Sequence, residues 1–141
     1  MKKLITSIAL AMGLMFAHNT KAQQTDPNAP VISFANDTIN YGTVARNAEG
    51  NRVFTFTNTG KEPLIIANVK QSCGCTTPKA WPTAPIQPGQ TGIITVHYAT
   101  DRVGQFIKTL TVTSNATASS KVIYIKGNVL PDAPTTASVN K

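Results

Sequence analysis

The sequence predicts an all-β fold, an antiparallel immunoglobulin-like β-sandwich of about seven to eight strands. Three observations carry this. Within residues 31–130, apolar residues recur with period two and no segment has a helical period. The alternating runs are rich in β-branched and aromatic residues, which suit a pleated, half-buried surface. Clusters of Gly, Pro, Asn, Asp and Ser separate the runs at spacings of about ten residues, the rhythm of a sandwich.

Taken in order, "VISF" and "TINYGTV" make an opening strand or strand pair. In "NRVFTFTNTG", Phe54 and Phe56 alternate with Val53, Thr55 and Thr57 before the turn cluster Asn58 to Gly60. "PLIIANVKQ", Pro63 to Gln71, is an aliphatic strand, and "TGIITVHYAT" places Ile94, Val96 and Tyr98 on one face. "GQFIKTLTVTSN" sets Phe106, Leu110 and Val112 against Thr109, Thr111 and Thr113. Lys108 interrupts the apolar set, so a bulge or an exposed strand end is expected there. "KVIYIKGNV" closes the series with Ile123, Ile125 and Val129 inward. Between the strands, "NTGKEP", "IQPGQTG", "TDRVG" and "SNATASS" have turn chemistry, and prolines fall at strand starts or in loops, where no ladder donor is lost.

The first 22 residues have a different character. Lys2 and Lys3 precede an apolar run from Leu4 to Ala17 and a short polar stretch ending in Ala22. That order of basic, apolar and small residues describes a secretory signal peptide cut after Ala22. The run is shorter than the ~20 residues of a membrane span. The expected organisation is a signal peptide over 1–22, a flexible linker over 23–30, one folded domain over 31–130 and a flexible tail over 131–141. The linker and tail are polar and proline-bearing, with too little apolar surface to offset the entropy of ordering them. The processed chain is expected to be periplasmic or secreted, with no transmembrane segment.

The formal charge of +7 falls once Lys2, Lys3 and Lys21 leave with the signal, because ten basic residues then face six acidic ones, giving +4. The remaining lysines and arginines are scattered singly, so nothing resembles a nucleic-acid footprint. The six acids, Asp26, Asp37, Glu49, Glu62, Asp101 and Asp132, are also isolated, and no nucleophile elbow, zinc-protease pair or phosphate-cradling glycine loop occurs. The sequence thus presents no assembled catalytic constellation and implies no cofactor. His97 is expected on the solvent side of its strand.

The stretch "QSCGCTTPKAW" holds both cysteines, Cys73 and Cys75. Fully extended, their Cα atoms would lie ~6.5–7 Å apart, at or past the limit for a disulfide. A bond between them needs a tight turn, for which Gly74 supplies access to positive φ. Three readings stay open: a bridge, a buried dithiol, or part of a partner-facing surface. A thioredoxin-like role lacks the helix start that lowers a thiol pKa. Structural zinc needs four ligands, and the pair could at most hold Cu(I). Ser72, Gly74, Thr76 and Trp81 form the expected supporting loop, with Trp81 as a lid over the cysteines.

Asn58-Thr59-Gly60, the Ser72-Cys73-Gly74-Cys75-Thr76 box, Pro88-Gly89 and Ser114-Asn115, set in the strand pattern from Phe34 to Val129, resemble the bacterial family catalogued as domain of unknown function 1573. That family is similar in turn to Hydin-type and major-sperm-protein-like immunoglobulin domains. The resemblance implies an immunoglobulin-like sandwich in an exported protein and no particular activity. The functional expectation is a non-catalytic module that binds an unknown protein or envelope component, or supports envelope structure, associating through an edge strand. The alternative is a thiol-dependent redox or Cu(I)-binding protein using Cys73 and Cys75.

Overall fold

The structure, a computed structural model, describes residues 26–132. The signal peptide expected over 1–22, and the tail beyond Asp132, lie outside the described residues. Eight strands form: β1 (Ile32–Phe34), β2 (Thr38–Ala45), β3 (Asn51–Asn58), β4 (Ile66–Gln71), β5 (Thr76–Ala80), β6 (Thr91–Tyr98), β7 (Gly104–Ser114) and β8 (Ser120–Leu130). They build two four-stranded sheets, ordered β1-β3-β6-β5 and β2-β8-β7-β4, here called sheets A and B.

Period-two alternation decides which residues face inward. Phe54, Phe56, Ile94, Val96 and Tyr98 from sheet A meet Phe106, Leu110, Val112, Ile123, Ile125 and Val129 from sheet B, all buried. Each fully buried Phe, Leu or Ile contributes roughly 1.5–3 kcal/mol relative to exposure.

Two asparagines fasten the connections. Asn58 is fully buried: its Oδ1 accepts from the Gly60 amide at 3.0 Å and the Val31 amide at 3.4 Å, and its Nδ2 donates to the Glu62 and Ile86 carbonyls at 2.8 and 2.9 Å. Asn115 repeats the device at the same crossing, accepting from the Ile65 amide at 2.8 Å and donating to the Pro63 carbonyl at 3.0 Å. Gln87–Gln90 is closed by the Gln90 amide on the Gln87 carbonyl at 3.0 Å, with Pro88 second and Gly89 third at φ +79°. That is the residue order of a type II turn. Upstream of β1, Ala29 bonds back to the Asp26 carbonyl at 3.1 Å, and Pro30, within the span expected as linker, is buried and accepts from the Thr117 amide at 3.0 Å.

The structure departs from the sequence expectation in three ways. "VISF" and "TINYGTV" do not pair with each other: β1 joins sheet A beside β3, while β2 joins sheet B. There β2 runs parallel to β8, so the sandwich is mixed and not wholly antiparallel. Such a pair needs a long crossover, which the intervening strands provide. The bulge expected at Lys108 is absent, since the β7–β8 register runs unbroken through Lys108 opposite Ile125. Lys108 is instead half-buried just past the last β4–β7 pair, Gln71 with Leu110, where β4 no longer covers it. Bulges occur in β2, β4 and β5, each against an interior strand of its sheet.

Candidate functional site

The cysteine box is the crossover between the sheets. β4 is an edge of sheet B and β5 an edge of sheet A, and residues 72–75 carry the chain from one to the other. Cys73 and Cys75 are disulfide-bonded with Cα atoms 5.4 Å apart. The turn closes by the Thr76 amide donating to the Cys73 carbonyl at 3.3 Å. On one flank Ser72 donates its amide to the Thr109 carbonyl at 3.0 Å and accepts from the Thr109 amide on Oγ at 3.3 Å. On the other, the Cys75 carbonyl accepts from the Ala99 amide at 2.9 Å. The bridge therefore joins a corner already pinned to both sheets.

Three expectations about the box change. Gly74 is not in the positive-φ region, and its side-chain position is open. The tight turn is reached with ordinary backbone angles, so left-handed freedom is not what glycine supplies here. Trp81 does not cover the cysteines. The strand β5 intervenes, and five extended residues at ~3.3 Å each place Trp81 at its far end. It is half-buried against the core there, separate from Ser72, Gly74 and Thr76. A Cu(I) site would need both thiolates, which are here bonded to each other. Cys75 is buried and Cys73 half-buried, both packed on the core, and the adjoining Thr76 is fully buried with its Oγ1 unpartnered.

Beside this corner, the loops after β2 and β6 meet. His97 lies between Asn51 and Thr77 in the register, half-buried, with Nδ1 3.1 Å from the Asn51 Oδ1. Thr100 donates to the Ala48 carbonyl at 2.6 Å and Tyr41 to the Gly50 carbonyl at 2.8 Å. Tyr98 stacks on Phe106 at 3.7 Å, and the Arg52 guanidinium lies 4.3 Å from the Tyr41 ring centre. Burial pushes the Tyr41 hydroxyl up to about 12, opposed by Arg52 and reinforced by Glu49; burial also raises Tyr98. These contacts hold the loops together.

The free edges are each guarded against strand addition. β1 has only three residues. β2 is bulged between Asn40 and Thr43, with Gly42 at φ +66°. β4 is bulged between Ile66 and Asn68 and carries Lys70. β5 is bulged between Pro78 and Ala80 and carries Pro78 and Lys79. Short strands, bulges, proline and lysine are the recurrent devices that blunt a sheet edge. The expected association through an edge strand is therefore disfavoured.

The faces are not guarded. All six carboxylates lie in connections or flanking segments, whereas Arg52, Lys70, Lys79, Lys108, Lys121 and Lys126 are in strands. On the outer face of sheet B the register sets side chains in rows: Thr43, Asn128 and Gln105; then Asn40, Lys126 and Ile107; then Thr38, Tyr124 and Thr109; then Val122, Thr111 and Lys70. Ile107 is 70% exposed and Tyr124 40%. Sequence reasoning missed this surface because it depends on which strands are neighbours. The glycine inside the β2 pattern was the available signal for the bulge beside it.

A profile of the family described as "Protein of unknown function (DUF1573)" matches residues 32–129. No curated protein matches the chain. Among solved structures, a protein of unknown function from Porphyromonas gingivalis W83 is similar with TM-score 0.63 and 15% identity, covering 78% of this chain and 51% of its own. The ASH / PapD-like domain 7 of human CEP192 gives TM-score 0.63 at 8% identity, covering 92% of this chain and 100% of its own. The secreted serine protease VesC from Vibrio cholerae gives TM-score 0.56 at 17% identity, over 74% of this chain and 24% of its own. This chain thus spans about half of the first of these and about a quarter of the protease. At such identities the likeness speaks for the fold, an immunoglobulin-like, PapD-like sandwich.

Proposed function

This chain belongs to the DUF1573 family, whose description assigns no activity, and from that premise we propose that it is an exported, non-catalytic binding module that presents a sheet face to an extracytoplasmic partner. The observation that carries the reading is the contrast between four blunted edges and the open outer face of sheet B, with exposed Ile107 and Tyr124 beside Lys126 and Lys70. Interfaces are built around such aromatic and aliphatic anchors. Export is supported by the leader pattern of residues 1–22 and by a cysteine pair spent on a disulfide, which suits an oxidising compartment. The absence of catalysis is supported by the disposition of the reactive groups: His97 bonds an asparagine, and the carboxylates are dispersed over separate segments.

The test is retention of partners from the host envelope by the processed chain and by an Ile107→Asp variant with an unchanged melting temperature. Retention by the wild type and loss by the variant are expected; equal retention refutes the face. Intact mass of the exported product should begin at Gln23, and an unprocessed chain would refute export.

A thiol-dependent role is the second reading, favoured by Cys73 being only half-buried on a surface corner. If it holds, mild reductant under native conditions opens the bridge and alkylation adds two labels to the intact mass. A bridge that opens only on unfolding removes this reading.

A further inference from the structure

The outer face of sheet B carries a shallow, open depression, and its lining favours one ligand chemistry. Two rows of three residues border it, Asn40, Lys126 and Ile107 in one and Thr43, Asn128 and Gln105 in the other, drawn from β2, β8 and β7. Between the rows β2 bulges at Gly42, which puts no side chain on the face there, while Gly127 of β8 turns toward the core. Both glycines are needed. Gly42 takes φ +66°, and a Cβ on Gly127 would stand 2.8 Å from the Tyr41 Cβ and from the Phe106 ring beneath.

We propose that this depression binds one acidic sugar unit of an anionic polysaccharide, and that the chain continues along β8 past Tyr124. The inference rests on the binding-face reading above. Lys126 would take the sugar carboxylate. Neither it nor Lys70 is in an ion pair among the described residues, and the carboxylates at the margins of the sheet are engaged, Asp37 by Lys121 at 3.5 Å and Asp132 by Arg46 at 2.9 Å. The face is therefore positive without internal neutralisation.

The Gln105 and Asn128 amides each offer donor and acceptor from one planar group, which matches vicinal hydroxyls. Ile107, 70% exposed, supplies an apolar wall for the ring face, and the exposed Tyr124 ring is a platform for the next unit. Along β8, Asn128, Lys126, Tyr124 and Val122 point outward at steps of ~7 Å, a track of ~20 Å.

A peptide is the poorer occupant. Extended peptides gain affinity on a sheet by pairing with an edge, and the edge nearest the depression is interrupted by the β2 bulge. Charge along and beside this track is sparse: Lys126 lies on it, and Lys70, on β4, is two rows and two strands away, ~16 Å. The two lysines can therefore meet only carboxylates that are well separated along a chain, which a polyuronate supplies at one per sugar ring and with hydroxyls between them for the amides.

Titration of the processed chain with a galacturonate oligomer, followed by amide NMR shifts and calorimetry, tests this directly. Binding is expected, with shifts confined to β2, β7 and β8 and weakening as salt is raised. Lys126→Ala should weaken it by about tenfold, the loss of one charge-assisted hydrogen bond, with an unchanged melting temperature. A neutral malto-oligomer should bind far more weakly. No binding of the galacturonate oligomer, binding indifferent to Lys126→Ala, or equal binding of poly-glutamate would each overturn the sugar assignment. If the oligomer fails while Ile107→Asp still loses its envelope partner, the sugar inference falls and the face reading stands; if that variant keeps its partner, the face reading falls as well.

Discussion

Replacing Asn58 with alanine strips a buried junction of all its side-chain bonds and should cost about 3 kcal/mol. The side chain is 0% exposed and ties four backbone groups, three of them at 2.8–3.0 Å and the Val31 amide at 3.4 Å. Each short bond counts for about 1 kcal/mol net, and more where its partner stays buried without water. The Ile86 bond is fully buried, while the Glu62 and Gly60 bonds are partly so, which holds the sum near three bonds' worth. For a domain of this size that corresponds to a fall of roughly 15 °C in melting temperature. Urea unfolding followed by circular dichroism measures it. A loss below about 1 kcal/mol would refute the argument, since it would mean that water replaces the amide. Asn58→Asp sharpens the test. It keeps an acceptor for Gly60 but turns a carboxylate toward the Glu62 and Ile86 carbonyls. Its pKa should therefore rise on folding, so this variant should be no more stable than the alanine one at neutral pH and should recover as pH falls.

Alkaline unfolding should report Tyr41. With its hydroxyl raised from 10.0 to about 12, the unfolded chain ionises first. Stability is thus intact below pH 10 and declines as pH climbs toward 12. Tyr41→Phe should remove part of that slope, and an unchanged pH profile would refute the assignment. Replacing Cys73 and Cys75 together by serine should cost only about 1.5 kcal/mol by chain-entropy arithmetic for so short a loop, because the corner is also held by Ser72, Thr76 and Ala99. A collapse of the fold on this double change would show that the corner depends on the bridge.

Some parts of the fold could be read locally and others could not. Phe54, Phe56, Ile94, Val96 and Tyr98 were legible as core because alternation is a property of a single strand. The Gln87–Gln90 turn was legible because proline and glycine fix its angles locally. Lys108 is the complementary case: the pattern of its own strand marks an irregularity, but that this is loss of cover and not a bulge depends on where β4 stops. Trp81 is near the cysteines in sequence but not in space, because five residues of strand separate them. The cysteine pair could be located but not assigned, since an extended Cys-Gly-Cys lies at the limit of bonding distance and only the surrounding turn brings it to 5.4 Å.

Fold class, the inward-facing residues and the identity of the turns were already legible in the order of the amino acids. These follow from side-chain periodicity and from φ preferences that act over a few residues. Tertiary structure alone decided that β2 runs parallel beside β8, that the cysteine box is a crossover between sheets, and that every edge is bulged or cut short. It also gathered Lys126, Ile107, Asn128 and Gln105 onto one face with no carboxylate among them. The physical reason is that alternation tells a strand which side is inside but not which strand lies next to it. That choice is made by hydrogen-bond partners far away in sequence, once the core closes.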